Sequence, residues 1–269
     1  MPDPTDYVLV YDKPPGITSH DVVARVRRTL PRKTKVGHAG TLDPFATGLL
    51  LVLVGRATRI QRFLMALPKR YEATARFGAV STTGDRDGVI TETGLVPAGD
   101  LVLPAGRLRQ RPPAYSAVKV DGRRAYELAR AGETVKLAER EIEVYRFAET
   151  WRDGERRGFV IDCSSGTYVR SLIADLGDAY CEELRRTRIG DFDIAAADPE
   201  RPVALQTALA FLPEVRLDAE RGRRAGHGVP ITDSGGHAEL VRLSDDDGLI
   251  ALAQPGTEPD TLKPIVGFR

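Results

Sequence analysis

Residues that bind metals or cross-link chains are scarce in this sequence. It holds two cysteines, Cys163 and Cys181, and four histidines, at positions 20, 38, 227 and 237. The cysteines form no Cys-x-x-Cys pair and the histidines show no zinc spacing, so neither a disulfide framework nor a structural metal is expected. No apolar run approaches the roughly 20 residues that span a bilayer. The opening MPDPTDYVLVYDKPPG lacks the basic start and apolar stretch of an export signal, which points to a cytoplasmic protein.

Several enzyme signatures are missing as well. No Gly-Lys-Ser/Thr closes a glycine-rich loop, as a nucleotide phosphate cradle requires. No Gly-x-Ser-x-Gly presents a nucleophilic serine. Between residues 20 and 70 the only acids are Asp21 and Asp43. Asp21 suits the first turn of a helix, so the paired carboxylates of a glycosidase are absent from this region.

What is present is an ordinary globular composition. The 269 residues are 42% hydrophobic and 29% charged, enough for one large or two unequal domains. The net charge of +1 conceals local imbalance. Eleven Lys/Arg face two acids between 20 and 70, and seven face Asp121 and Glu127 between 107 and 130. Six acids face Arg242 between 239 and 260. Local positive excess suits a polyanionic partner, because neutralised phosphates release counterions. A solvated basic face would account for it equally well.

YVLVYDKPPG reads as a strand entering a Pro-Gly turn. TSHDVVARVRRTLP reads as a helix with Ser19 as N-cap, Asp21 in its first turn, and Val22, Val23, Val26 and Leu30 on one face. LLLVLV (49–54) reads as a buried strand. In RYEATARFG, Tyr71, Ala73, Ala75 and Phe77 alternate with polar residues, the pattern of a half-buried strand. RAYELARAG and YVRSLIADLGDAY have helical spacing, and EIEVYRF and GFVIDCSS read as strands. The elements are interspersed without a βαβ repeat, so the expected class is α+β, with a mixed or antiparallel central sheet and packed helices. A boundary is expected after ALQTALAFLP. Beyond it, short apolar runs punctuated by glycine and proline predict a small β-barrel-like module.

One stretch resists these assignments: GHAGTLDPFATGLLLVLVG (37–55) sets a lone carboxylate, Asp43, on a glycine-flanked loop just before the buried strand. Glycines there let the backbone bend and a bulky ligand approach. Read alone, Asp43 fits a turn aspartate bonded to its own backbone better than a reactive group.

Its companions alter that reading. YDKPPGITS, GHAGTLDPFATGLL, KRYEATARFG, RPPAYSAVKVDGRRAYELARAG, CSSGTYVRSLIADLG and LRRTRIGDF occur in one order. Together they resemble the bacterial tRNA pseudouridine-55 synthases, the TruB family, over essentially the whole chain. The C-terminal segment resembles, more loosely, the small RNA-binding PUA module that follows the catalytic domain in many relatives. The resemblance implies a pseudouridine synthase domain over 1–213, with a mobile RNA-binding loop at 107–140, and a PUA-like domain over 214–269. It implies a monomer, independent of membranes and partner proteins, that isomerises uridine 55 in the T stem-loop of tRNA without a cofactor.

Residue by residue, the resemblance implies that Asp43 is the catalytic aspartate, Arg170 its cationic partner and Tyr71 the active-site aromatic. His38 resembles the histidine that fills the space left by the extruded base. Lys13 matches a recurrent lysine near the cleft, and Leu184 an apolar residue packed near the target base. With that partner in view, Arg25, Arg28, Lys33, Lys35, Lys119, Arg123 and Arg124 become candidate phosphate contacts. The sequence departs from the family in three places. Threonine stands at an acidic position in STT (81–83), which puts in doubt a polar network built on that acid. Ala39 and Phe45 replace the usual threonine and leucine, and the DDD at 245–247 is unusual for an RNA-binding module. Two other readings stand beside this one: a guide-RNA-dependent synthase of the archaeal and eukaryotic type, and a tRNA-binding or folding protein with secondary catalysis.

Overall fold

A computed structural model of the chain describes residues 6–116, 118–120, 122–133, 137–233, 235–236 and 239–269. In chain order the elements are β1 (Tyr7–Lys13), α1 (Ser19–Arg28), β2 (Val36–Ala39), β3 (Thr47–Val54), α2 (Gln61–Ala66), β4 (Lys69–Phe77), β5 (Ala79–Ser81), β6 (Ile90–Glu92), β7 (Gly106–Gln110), β8 (Lys119–Val120), β9 (Arg123–Arg124) and α3 (Ala125–Arg130). There follow β10 (Arg140–Asp153), β11 (Arg156–Cys163), α4 (Val169–Ala174), β12 (Ala179–Ile189), β13 (Phe192–Asp193), β14 (Val203–Ala204), α5 (Leu205–Ala208), β15 (Glu214–Arg216), α6 (Ala219–Gly226), β16 (Ile231–Thr232), β17 (Val241–Asp245), β18 (Gly248–Pro255) and β19 (Thr261–Gly267). Among the described residues, no helix is long and apolar enough to cross a membrane.

The first helix starts one residue earlier than its sequence suggests. Thr18, not Ser19, is the N-cap: its hydroxyl accepts from the Asp21 amide at 3.1 Å, and Asp21 accepts from the Thr18 amide at 2.8 Å. This reciprocal pair satisfies two of the orphan donors of the first turn. Ser19 is thereby released for another task. It is buried, its hydroxyl accepts from the Leu42 amide at 2.9 Å, and it donates to the Leu42 carbonyl at 3.2 Å.

The larger sheet runs β14-β1-β3-β12-β4-β11-β10-β7, with β2 added to β3 and β13 to β12. All of its pairings are antiparallel except β3 with β12. One edge of β3 is shared by two partners. β2 pairs with residues 51–54, and β12 pairs with Thr47 and Gly48. The chain leaves that edge after Ala39 and returns at Thr47, so the loop carrying Asp43 emerges where the two pairings meet. β4 alternates as its sequence predicts: Tyr71, Ala73, Ala75 and Phe77 enter a core shared with Phe159, Ile161, Leu172 and Leu184.

A second sheet, β15-β17-β18-β19-β16, forms the C-terminal part, with α6 packed on it. Its attachment is apolar and polar at once. Leu252 and Phe268 join the core formed by Val8, Val10, Leu49 and Leu51. Arg59 donates to the Gly267 carbonyl at 2.6 Å, and Arg56 donates to that of Phe268. The acidic run at 245–247 is largely consumed within this part: Asp245 pairs with Arg269 at 2.6 Å, and Asp246 with Arg216 at 2.6 Å.

Gly48 is the constrained point of the junction between β3 and β12. Its φ is +101°, and a Cβ there would strike the Arg186 carbonyl and stand 2.9 Å from the Arg186 nitrogen. Gly48→Ala is expected to cost about 3 kcal/mol or more. A thermal melt should show this as a fall of about 6 °C or more in Tm; an unchanged Tm would mean the junction is not tight.

Candidate active site

The loop between β2 and β3 is pinned from three sides. Ser19 holds Leu42 on one side of Asp43. On the other, the Pro44 carbonyl accepts from the Gly16 amide at 2.8 Å and from Lys13 Nζ at 3.3 Å. Arg186 holds the loop's start, donating to the carbonyls of Gly40 at 3.1 Å and Thr41 at 3.5 Å. Leu42, Phe45 and Ala46 are buried in the main core, so the phenylalanine at 45 fills the apolar position that leucine usually takes. An otherwise irregular loop thus has a fixed shape, and Asp43 sits at its apex with 35% of its side chain exposed.

That exposure opens into a cavity of about 630 Å³, lined by Thr41–Asp43 and Thr167–Arg170 together with Tyr71, Leu184, Arg62 and Lys69. The volume falls within the range of small-molecule sites. Arg170, near the start of α4, is almost completely buried and spreads its donors over four acceptors. Nε pairs with Asp43 at 2.9 Å. Nη1 donates to the Thr83 carbonyl at 2.6 Å and to Asp85 at 3.0 Å, and Nη2 donates to the Tyr115 carbonyl at 2.9 Å. Asp85 is itself buried and accepts from the Thr83 hydroxyl at 2.6 Å. The STT at 81–83 therefore does not abolish an acidic network, because Asp85 supplies the carboxylate.

Burial raises the pKa of Asp43; the Arg170 guanidinium opposes the rise, and Asp85 adds to it. Burial likewise raises the Tyr71 phenol, against a smaller opposing effect from Arg186. Lys13 is fully buried, its ammonium bonded to the carbonyls of Pro14, Ile17 and Pro44, and burial lowers its pKa to about 8 despite the Asp43 charge. Lys69, beside Tyr71 in the cavity wall, is also lowered to about 8 by burial, with Arg186 adding to the effect.

The structure brings Asp43, Tyr71, Arg170 and Leu184 together around one cavity. Lys13 lies behind the Asp43 loop rather than in the cavity wall. His38 sits half-buried on β2, away from the cavity lining, its carbonyl accepting from Gln61 at 2.8 Å. Burial, then Arg186, lowers its imidazole pKa, so the ring is neutral at pH 7. Arg25 and Arg28 are exposed on α1, and Lys33 and Lys35 on the loop that follows. Arg123 pairs with Glu133 at 3.0 Å on the surface, while Lys119 and Arg124 pair through their backbones in the β8–β9 ladder.

The basic excess between 20 and 70 is partly internal. Arg27 donates to the Val36 carbonyl, Arg70 pairs with Asp162, and Arg56 and Arg59 hold the C-terminal part.

Four contributors were not singled out from the sequence. Asp85 stands in a glycine-flanked turn far along the chain from Arg170, and only the fold joins them. Arg186 is fully buried and also donates to the Leu49 carbonyl at 2.8 Å, an acceptor between the two strand pairings on the β3 edge. The Tyr168 backbone is clamped by the buried Gln110 amide through bonds of 2.8 and 2.9 Å, which places its residue in the cavity wall. Ser116 lines the same wall. The motif strings containing Tyr168, Ser116 and Arg186 were a usable signal; Asp85 lay outside them.

A lone aspartate, paired with a buried arginine and lining one cavity with a tyrosine, is the candidate centre of this site. Comparisons with known proteins make this specific. The model of the TruB family pseudouridylate synthase N-terminal domain matches residues 27–169, more than half of the chain. The chain is 43% identical to tRNA pseudouridine synthase B of Thermobifida fusca (strain YX), covering 98% of each. It is 42% identical to the protein of that name from Cutibacterium acnes (strain DSM 16379 / KPA171202), covering 94% of each. A chain solved in a Cbf5-Nop10-Gar1 complex superposes with a TM-score of 0.70 at 25% identity, covering 98% of this chain and 84% of that one. The chain belongs to the TruB family and is a pseudouridine synthase.

The charges around Asp43 make opposite demands that a titration can separate. In Arg170→Gln the carboxyl loses the cation that favours its charged form, so its pKa should rise further. In Asp85→Asn it loses a repelling anion, so its pKa should fall. NMR titration of the Asp43 carboxyl in the two variants checks the signs; shifts in one common direction would contradict this electrostatic arrangement.

Proposed function

We propose that this enzyme isomerises uridine 55 in the T loop of tRNA to pseudouridine, with Asp43 as the catalytic carboxylate. The observation that carries the reading is the Arg170–Asp43 pair lining one cavity with Tyr71. In the reaction the N1–C1′ bond breaks and a C5–C1′ bond forms. C5 loses its proton and N1 gains one, so no atom or electron is exchanged overall and the chemistry calls for no redox or group-transfer cofactor.

An ionised carboxylate serves either as the nucleophile or as the proton acceptor of such a sequence. Arg170 favours that ionised form against the burial that raises its pKa. A uridine reaches this cavity only after leaving its stack, at a cost of a few kcal/mol. Stacking of its base on an aromatic ring returns about 1–3 kcal/mol, and Tyr71 is placed to provide that surface. Leu184 supplies an apolar wall, and Lys13 acts on Asp43 by holding the Pro44 carbonyl.

Residues 1–213 are read as the catalytic domain and 214–269 as a PUA-type RNA-binding domain, a division supported by the second sheet starting with β15. The segment 107–140 is read as the loop that closes over the T stem-loop, and the exposed Arg25, Arg28, Lys33 and Lys35 as phosphate contacts. His38 is assigned the space of the extruded base; its neutral ring suits an uncharged contact there. Near-complete coverage of relatives named tRNA pseudouridine synthase B supports a stand-alone enzyme. Conversion of a naked tRNA transcript distinguishes it from a guide-RNA-dependent one.

The decisive experiment incubates a T stem-loop RNA with wild type and with Asp43→Asn, followed by position-resolved pseudouridine mapping and a binding assay. Conversion at position 55 by wild type only, with RNA binding retained by the variant, is the expected result. A comparable rate in Asp43→Asn would overturn the assignment of the carboxylate. RNA affinity should also fall steeply from low to physiological salt, because the basic surface acts through phosphate neutralisation; a flat dependence would remove that surface from the binding site.

A further inference from the structure

Four side chains carry a buried polar atom with no hydrogen-bond partner among the described residues: His38, Ser116, Arg157 and Thr187. Of these, only Ser116 lines the cavity that holds Asp43. The residue is 5% exposed, and its Oγ has no acceptor and almost no accessible surface, so it meets a ligand in the cavity once its χ1 turns. A hydroxyl in that condition costs free energy in the unliganded protein and is retained cheaply only where a ligand completes it. The preceding residue is part of the catalytic wiring, since the Tyr115 carbonyl accepts from Arg170 Nη2 at 2.9 Å. Ser116 is therefore placed by the same guanidinium that holds Asp43.

We propose that the Ser116 hydroxyl binds a carbonyl oxygen of the target uracil; this rests on the reading that a uridine enters the Asp43 cavity. The chemistry of the isomerisation favours such a contact. Uracil is nearly symmetric about the line from N3 to C6. A half-turn about that line exchanges N1 with C5, as the reaction requires, and at the same time exchanges O2 with O4. A carbonyl thus stands in one place before and after the base turns. A hydroxyl donor turned into the cavity can hold the detached base at both ends of the base's rotation from one position, and no charge is needed for it to do so.

The test compares full-length wild type with Ser116→Ala. It uses single-turnover pseudouridine formation on a T stem-loop RNA, read on whichever uridine the wild type converts, and thermal melting without RNA. Loss of one neutral hydrogen bond to the substrate should slow the variant roughly tenfold. Removal of an uncompensated hydroxyl should leave Tm unchanged or raise it by about 2 °C. A rate within twofold of wild type, or a lowered Tm accompanying the slower rate, would overturn the proposal, since the latter marks a structural hydroxyl. A second arm uses RNA with 2-thiouridine or 4-thiouridine at the target. At least one of them should slow the wild type more than Ser116→Ala, and equal slowing of both proteins by both analogues would also overturn the contact. Should the wild type convert a uridine other than 55, the site-specificity reading falls while the Ser116 comparison is still decided on that uridine.

Discussion

The arrangement around Asp43 depends on one buried cation. An arginine that cannot lose its charge must find acceptors for its donors when it leaves water. Arg170 finds them on three separate stretches of chain: the Asp43 loop, the turn that supplies the Thr83 carbonyl and the Asp85 carboxylate, and the segment carrying the Tyr115 carbonyl. Each of those stretches is irregular, and each is held by the same planar group. Geometry and electrostatics are consequently inseparable here. The contacts that satisfy Arg170 also fix where Asp43 stands and how readily it ionises.

A second buried arginine solves a different problem. Where β2 ends along the β3 edge and β12 begins, the ladder is interrupted and a backbone carbonyl would be left without a strand partner. Arg186 donates to it at Leu49 and, with its remaining donors, to the start of the Asp43 loop. Gly48 allows the close approach of the two chains, because any side chain there would meet the Arg186 backbone. The Asp43 loop is thus a by-product of an edge shared by two strands, stabilised by the group that repairs the interruption. Ser19, freed by Thr18 from capping the helix, secures the other side of the same loop.

Charge on the surface divides by use. Part of the basic excess in the first seventy residues holds the protein to itself: Arg56 and Arg59 fasten the C-terminal part, and Arg70 binds Asp162. The remainder, on the outer face of α1 and the loop after it, is exposed. In the C-terminal part, arginines likewise neutralise two members of the acidic run, so the composition of a segment overstates the charge it presents outward.

Much of this was legible in the sequence. The alternation in β4, the continuous apolar run of β3 and the interspersed elements specify strands, a buried layer and a mixed sheet, because these depend on local periodicity. Asp43, Tyr71 and Arg170 stood out through motifs that are contiguous in the chain. The N-cap was misplaced by one residue, since both Thr18 and Ser19 have capping hydroxyls and only the packing of Leu42 decides which is free. The parts that Asp85, Arg186 and Ser116 play were not readable, although two of them lie in those motifs, for a common reason. Their significance lies in which distant backbone groups they meet or leave unmet, and hydrogen-bond satisfaction between remote segments has no periodic trace. The sequence by itself determined the elements, the fold class and the candidate carboxylate; only the tertiary structure decided how that carboxylate is held and charged, because burial brings donors and acceptors from separate segments of the chain together.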